Sequence, residues 1–196
     1  MVKRLSKFIS TTLHNANYIS EQDLPIYTYC FEYILENLSF TVFILFYSMF
    51  LKRISIGIIF LSILMSIRSF AGGIHAPTKQ LCNILSYGIS MITIAVASAV
   101  TTRFEFLWIP TFFISCFVIK LLCPIDTPNK RLDNQQKSKL KGYCNITLII
   151  FIILFSIFYL SDMVLYYGTI SICFLIVSTS VMLGHINNQR SIKHES

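Results

Sequence analysis

Residues 68–82 read Arg-Ser-Phe-Ala-Gly-Gly-Ile-His-Ala-Pro-Thr-Lys-Gln-Leu-Cys, and they separate two long apolar runs at 54–67 and 83–101. The segment is polar and glycine-rich, and it contains one of the four histidines and one of the six cysteines of the chain. Apolar runs of this kind are typical of helices that enter a membrane. We therefore expect the segment to connect two such helices at the edge of the bilayer.

The composition of the whole chain indicates a membrane protein. Of 196 residues, 55% are apolar and only 13% are charged, against roughly 25% charged residues in a typical globular domain. Apolar runs occur at 31–51, 54–67, 83–101, 106–123, 145–160 and 163–183. We predict an all-α polytopic membrane protein, a single domain with about six apolar helical segments. The second run is shorter than the ~20 residues that span a bilayer and the fifth is marginal, which favours burial or a re-entrant course for the second.

The N-terminal segment 2–20 is predicted to form a basic amphipathic helix. Its apolar residues recur at helical spacing and its basic residues fall elsewhere around the helix: Val2, Leu5, Phe8, Ile9 and Leu13 against Lys3, Arg4 and Lys7. Such a helix can lie at the interface of an anionic membrane. Packing against the rest of the protein is an equally good interpretation of the same pattern.

The positive charges concentrate on one side of the predicted topology. In a six-pass arrangement with both termini inside, 13 of the 16 Lys and Arg residues fall on the cytoplasmic side and 3 fall outside, as the positive-inside rule requires. Segment 68–82 is then cytoplasmic, and the pair Lys52-Arg53 in a tight turn is the exception. The charges form no basic stripe across a soluble fold, so we expect no nucleic-acid partner.

The segment 124–143 is the largest polar insertion, and we interpret it as a basic cytoplasmic loop. Its basic residues are Lys130, Arg131, Lys137, Lys139 and Lys141, accompanied by Asp126 and Asp133. Two interpretations of this charge stand side by side. The loop is either a determinant of topology or an electrostatic binding site for an acidic peptide or for lipid headgroups.

Most of the cysteines are expected to pack as small apolar side chains, because they lie within or beside apolar runs. These are Cys30, Cys116, Cys123, Cys144 and Cys173. No histidine or carboxylate shares the spacing of Cys116 and Cys123, so we expect neither a metal site nor a disulfide framework. We also expect no cofactor.

His75 and Cys82 are the residues most suited to chemistry, since thiol catalysis needs a base that accepts the thiol proton. An unbroken helix would separate them by ~10.5 Å along its axis, too far for a hydrogen bond. Gly72, Gly73 and Pro77 argue against an unbroken helix. We predict a loop that carries His75, followed by a helix that begins near Pro77 and carries Cys82.

This arrangement would supply several parts of a cysteine-protease site. The histidine and, more weakly, the positive end of the helix favour a thiolate, and the glycine-flanked amides before His75 could donate to an oxyanion. Asp126 and Ser86 are candidates for a third catalytic residue, although the position of Ser86 favours helix packing over a role in orienting the thiol or the histidine. Arg68 suits either a supporting role or a positive-inside anchor.

Together these residues resemble the signature of the accessory gene regulator B (AgrB) family, the membrane endopeptidases of Gram-positive quorum sensing. The matching positions are Arg68, Gly72-Gly73, His75-Ala76-Pro77, Cys82 and Ser86, with a Pro-x-Asp-x-x-Asn-Lys pattern at 124–130. The resemblance implies that His75 and Cys82 are the catalytic pair. It assigns supporting roles to Arg68, Gly72, Gly73, Pro77 and Ser86 within a catalytic segment 68–82.

The resemblance also implies a substrate and a reaction. The substrate is a short pro-peptide with an amphipathic leader, an internal cysteine and an acidic C-terminal tail. Enzymes of the family remove the tail, hold the peptide as a thioester on the enzyme cysteine, and release a thiolactone after attack by the peptide's own cysteine. The acidic tail would give the basic residues from Lys130 to Lys141 a partner. A homodimer in the lipid of the cell membrane is implied as well.

Two other functions fit an apolar architecture of this kind. One is a non-catalytic peptide exporter or binding protein that keeps the same scaffold. The other is a small transporter whose broken helix after Arg68 forms a site at the membrane midplane. A transporter predicts that function survives Cys82→Ala, whereas a protease predicts that Cys82→Ala and His75→Ala each abolish tail cleavage.

Overall fold

The computed structural model describes residues 2–71, 78–100, 105–124 and 133–195, and all regular structure in these ranges is helical. The helices are α1 (Val2–Asn15), α2 (Leu24–Phe50), α3 (Ile54–Ala71), α4 (Lys79–Ser98), α5 (Glu105–Leu122), α6 (Asn134–Leu160) and α7 (Val164–Glu195). The predicted all-α class is therefore confirmed.

Within the described ranges, five helices are long and apolar enough to cross a membrane: α2, α4, α5, α6 and α7. The apolar part of α3, Ile54–Ile67, is shorter than these. The prediction that the second segment is too short to span the membrane is therefore confirmed, since about 20 helical residues are needed to cross the hydrocarbon core upright. Residues 54–67 can be accommodated only by neighbouring helices, by local thinning of the bilayer or by an extension through the last turn of α3.

Helix α6 begins well before the apolar run that predicted it. It starts at Asn134, and Asp133 caps it. The Asp133 carboxylate accepts from the Asn134 amide at 2.8 Å and also from the Gln136 amide, and the Gln136 side chain in turn accepts from the Asp133 amide at 3.4 Å. This reciprocal arrangement is a capping box. The second half of segment 124–143, interpreted as a loop, is thus helical. The resulting 27-residue helix is long enough to cross the bilayer, unlike the marginal run 145–160.

The chain divides into two compact units, and the first is Met1–Phe46. Within it, Ser6 and Ser10 of α1 are fully buried, and the Ser10 Oγ lies 2.6 Å from the Thr28 Oγ1 of α2. Leu5 and Phe8 are exposed instead. Helix α1 therefore packs on α2 through small hydroxyl residues and keeps apolar side chains outward. The structure thus shows one face of α1 packed against α2. The interfacial position of this helix on a membrane stays a prediction.

The second unit, Tyr47–Ser196, has an aromatic core where α5, α6 and α7 meet. Phe112 stacks on Phe155 with ring centroids 4.2 Å apart, and it meets Phe174 edge-on at 4.9 Å. Tyr167 meets Phe155 edge-on at 5.7 Å. Each such pair contributes about 0.5–1.5 kcal/mol beyond burial. In a membrane this interlocking of shapes matters more than apolarity, because lipid tails are as apolar as the core.

Polar contacts fix the register of α5 against α7. The Tyr167 hydroxyl donates to the Glu105 carboxylate at 2.6 Å, and the Ser171 hydroxyl donates to the Trp108 carbonyl at 2.9 Å. Gly168 lies between these two contacts, and a Cβ added there would lie 2.6 Å from the Val100 Cγ1. The glycine therefore permits a close approach that any larger residue would block.

Candidate active site

The start of α4 is formed by a capped first turn. Thr78 has an extended backbone (φ −123°, ψ 144°), and its Oγ1 accepts from the Leu81 amide at 3.3 Å. Threonine suits this position because its side-chain oxygen satisfies an amide that the helix leaves without a partner. Helix α4 thus begins at Lys79, shortly after Pro77, which the sequence places near its first residue.

Cys82 is the fourth residue of α4, at the end of this first turn. Its amide donates to the Thr78 carbonyl at 3.0 Å, so the position of its backbone depends on the same residue that caps the helix. Its side chain is half-buried, whereas Cys116, Cys123, Cys144 and Cys173 are buried. The Cys82 thiol is therefore partly accessible to a substrate, and its backbone is held in place by the first turn of the helix. A nucleophile requires both properties.

Four small polar side chains of α4 lie on one side of the helix. Cys82, Ser86, Ser90 and Thr93 fall within about 80° around the axis; the first two are half-buried and the last two are buried. The opposite side carries exposed apolar residues, namely Leu81, Ile84, Leu85 and Ile92. Helix α4 packs against α7 and α3, and its fully buried residues lie on the side of Ser90 and Thr93. Cys82 lies at the border of that side, because Ile89, about 20° from it around the axis, is 47% exposed.

The deeper hydroxyls on this face serve the helix packing. The Ser90 Oγ donates to the Ser86 carbonyl and the Thr93 Oγ1 to the Ile89 carbonyl, each at 2.6 Å. Their hydrogen bonds are satisfied within α4, so they cost little to bury, and small side chains let neighbouring helices approach closely. Sequence reasoning missed Ser90 and Thr93, although Ser90 lies four residues after Ser86 and Thr93 lies seven residues after it, so both continue the line from Cys82.

Several predicted site residues lie outside the described part of the chain. These are Gly72, Gly73, His75 and Pro77 of the catalytic segment, and Asp126, Lys130 and Arg131 of the basic segment. Arg68 belongs to the last turn of α3, and the structure does not describe its side chain. The approach of His75 to Cys82 is therefore a prediction, and so is the role of the loop amides.

The described basic residues lie in the first three turns of α6. Lys139 and Lys141 are exposed and Lys137 is half-buried. Lys137 and Lys141 are one turn apart on the same side of the helix, whereas Lys139 faces about 160° away from each. The three cations therefore do not form one flat patch, and they would surround a ligand only as parts of a larger basic segment.

No group of three or more His, Cys, Asp or Glu side chains comes together as a possible metal site among the residues that the structure covers.

Almost the whole chain is similar to known proteins. Residues 3–183 match the family described as Accessory gene regulator B. The chain belongs to the AgrB family. An AgrB-like protein of Clostridium beijerinckii is 31% identical over 159 residues, covering 79% of this chain and 77% of the relative. An AgrB-like protein of Clostridium perfringens is 27% identical over 194 residues, covering 94% and 87%. No solved structure matches the chain.

Family membership and helix content agree on the setting of the site. The match spans α1 through most of α7, and five of the described helices are able to cross a bilayer. The protein is therefore a multi-pass membrane protein of the AgrB family. That family associates it with peptide processing in quorum sensing, and the resemblance noted from segment 68–82 is confirmed.

Proposed function

We propose that this AgrB-family protein is a membrane cysteine endopeptidase that removes the C-terminal tail of a quorum-sensing pro-peptide and cyclises the remainder to a thiolactone. The observation that carries the proposal is the position of Cys82. It lies half-buried at the end of a capped first turn, at the border between the buried and the exposed sides of α4. A thiol that only filled space would fit the buried side, where Ser90 and Thr93 lie.

The proposed reaction is two successive acyl transfers. His75 takes the proton of the Cys82 thiol, and the sulfur attacks the scissile carbonyl. The tetrahedral intermediate collapses as His75 returns the proton to the departing amine of the tail, which leaves a thioester on Cys82. The thiol of the peptide's own cysteine then attacks that thioester. The thiolactone leaves, and the Cys82 sulfur regains a proton.

The location at a membrane edge suits the second transfer. Water competes with the peptide thiol for the thioester, and hydrolysis would release a linear product. A site bordered by protein on one side and by the apolar face of α4 on the other limits that competition. Holding the peptide cysteine beside the thioester also makes the second step intramolecular, which raises its effective concentration.

We propose that the basic segment binds the acidic tail. Lys137, Lys139 and Lys141 belong to the cytoplasmic extension of α6 in this scheme, with Lys130 and Arg131 before them. Attraction between such exposed charges is long-range and weakens as salt screens it. The proposed binding therefore predicts a KM that rises with ionic strength, and a kcat that changes less.

The test is co-expression of the chain with candidate pro-peptides that carry an internal cysteine and an acidic tail, followed by mass spectrometry of the peptide. We expect loss of the tail with the native chain. Cys82→Ala and His75→Ala should each abolish it without changing membrane insertion, and Cys82→Ser should bind but process poorly because a hydroxyl is far less acidic. Cys173→Ala, a buried thiol on α7, is the matched control and should remain active. Cleavage that survives Cys82→Ala would contradict the proposal.

We further propose that both termini and the site face the cytoplasm and that the protein is a homodimer. Orientation is tested with a single cysteine at the exposed position 139 and a reagent that cannot cross membranes. Labelling in inverted vesicles but not in intact cells is expected, and the reverse result would overturn the topology. A dimer predicts that a catalytically inactive chain and an active chain co-purify when tagged differently.

A further inference from the structure

Two cysteines outside the candidate active site meet at one end of the helical unit. Cys123 directly follows the last residue of α5, and Cys144 lies on α6 where its polar beginning gives way to the apolar run. Both are buried, with 6% and 2% of their side chains exposed. They are 21 positions apart in the sequence, and only the packing of α5 against α6 brings them together.

The two thiols share a hydrogen bond. That bond and burial raise the pKa of Cys123 above its usual value, while the positive charge of Lys141 acts in the opposite direction. The Cys123 thiol is therefore protonated at neutral pH. It lies beside a cation and in contact with a second thiol, which is a different environment from that of a sulfur surrounded only by apolar side chains.

Simple packing does not require this arrangement. Cys116 and Cys173 are also buried, and they serve as space-filling thiols on α5 and α7. Cys123 and Cys144 are set apart because each thiol has another thiol as its neighbour. A disulfide needs the sulfurs at about 2.05 Å, so a pair already in hydrogen-bond contact needs only a small further approach.

We propose that Cys123 and Cys144 form a reversible disulfide that joins the end of α5 to α6. The oxidant is a low-molecular-weight disulfide. The thiolate of one cysteine attacks it, forming a mixed disulfide and expelling one small thiolate. The second protein thiolate then attacks the protein sulfur of the mixed disulfide, closing the Cys123–Cys144 bond and expelling the other small thiolate. The two protons lost by the protein thiols are taken up by the two small thiolates, so one disulfide is exchanged for another.

Closing this bond would enclose residues 124–143, the basic segment. The bond would hold the end of α5 at one fixed distance from the polar beginning of α6, which carries Lys137, Lys139 and Lys141. The functional consequence rests on the proposed function: oxidation should slow removal of the acidic tail, and reduction should restore it. The disulfide itself is independent of that proposal.

The experiment for the disulfide compares two-cysteine variants of the full-length membrane protein. One keeps only Cys123 and Cys144, and the control keeps only Cys116 and Cys173, with the other four cysteines changed to alanine. Each is equilibrated with defined ratios of oxidised and reduced glutathione, quenched in acid, unfolded and labelled with a maleimide that shifts the band on a gel. We expect loss of both labels from the first pair at a glutathione ratio at least about tenfold more reducing than any that affects the control.

Mass spectrometry distinguishes the outcomes. Loss of two hydrogens from the Cys123/Cys144 variant supports the proposal. Two glutathione adducts, or two labels that persist under full oxidation, overturn it. Equal oxidation of the control pair also overturns it, because chance encounters during unfolding would then explain the bond. A Lys141→Gln change in the first variant should slow bond formation, since the charge that assists thiolate formation at Cys123 is removed.

The regulatory consequence is measured with the chain that retains Cys82. Tail cleavage by the native chain and by Cys144→Ala is followed at the same oxidised glutathione ratio, then after addition of a reducing thiol. We expect reversible inhibition of the native chain and several-fold less inhibition of Cys144→Ala. Equal inhibition of both would assign the effect to oxidation of Cys82 and overturn the regulatory role. No cleavage by either chain when reduced would instead refute the proposed function, and the gel result would still decide the disulfide.

Discussion

Replacing Thr78 with alanine removes the side-chain acceptor that caps α4 and leaves the Leu81 amide without its 3.3 Å partner. Loss of an N-cap costs about 0.5–2 kcal/mol, typically ~1. Because the Cys82 amide bonds to the Thr78 carbonyl at 3.0 Å, the same turn sets the position of the nucleophile. A cost of ~1 kcal/mol lowers the ratio of ordered to frayed first turns by a factor of about five.

We expect Thr78→Ala to reduce kcat/KM for tail cleavage by up to about fivefold, with little change in the thermal midpoint of the whole protein. Thr78 is exposed and its side chain is not part of the helix packing, so the effect should stay in the first turn. The assay is cleavage of a fluorogenic or mass-tagged pro-peptide in liposomes, with circular dichroism on the same samples. Thr78→Ser and Thr78→Asp keep an acceptor oxygen and should retain most of the activity.

Three results would refute this reasoning. Activity of Thr78→Ala equal to that of the native chain would show that cleavage does not depend on a capped turn at Cys82. Equal losses in Thr78→Ala and Thr78→Ser would show that the methyl group of threonine, not the hydroxyl, is what matters there. A fall in thermal midpoint that matches the fall in activity would place the effect in the whole fold.

Three further predictions concern the packed unit and the thiol pair. Phe112→Ala, at a residue with no exposed surface, should lower the free energy of unfolding by about 3 kcal/mol, whereas Phe113→Ala, at a residue that is 49% exposed, should change it far less in the same detergent titration. Gly168→Ala should cost about 1–3 kcal/mol because its Cβ would lie 2.6 Å from the Val100 Cγ1; the double variant with Val100→Ala should recover stability, and failure to recover would mean that another neighbour is responsible. The rate of disulfide formation should rise with pH from 7 to 9, because only a thiolate attacks and the neighbouring thiol and burial raise the pKa of Cys123; a rate that is flat in this range would contradict a protonated thiol pair.

Much of the fold follows from the sequence because the bilayer imposes a simple length rule. Six apolar runs became the six helices α2 to α7, and the shortest run, 54–67, is the one that falls short of the spanning criterion. The break between α3 and α4 was predictable from glycine and proline, since these residues weaken or end helices. Helix α4 begins at Lys79, about two residues after the predicted start near Pro77. The reason is that Thr78 caps the helix, so the first helical residue is the one after it.

The start of α6 was missed although its signal is present in the sequence. Asp133 followed by Gln136 has the spacing of a capping box, which predicts a helix beginning at Asn134. The apolar run 145–160 predicts a shorter helix, because apolarity marks only the part of a helix that lies in lipid. A polar helix that continues beyond the membrane is recognised from its caps and propensities.

Some features of the candidate site can likewise be read from the sequence, and others depend on the tertiary structure. The sequence alone shows a cysteine and a histidine in one polar segment. The family match agrees with the AgrB resemblance that this segment suggested. The border position of Cys82 is a property of the packed helices. Periodicity places Ser86, Ser90 and Thr93 on the side of Cys82, but whether that side meets protein or lipid depends on where α3 and α7 lie.

The sequence by itself determined that this is an all-helical membrane protein of about six apolar segments, with one polar segment that contains both a cysteine and a histidine. Tertiary structure alone decided which faces of those helices meet. Lipid is as apolar as a leucine side chain, so apolarity cannot tell a buried face from an exposed one, and shape complementarity decides instead. For that reason segment 68–82 could be recognised as reactive from its residues, whereas the contact between Cys123 and Cys144 emerged only when α5 was packed against α6.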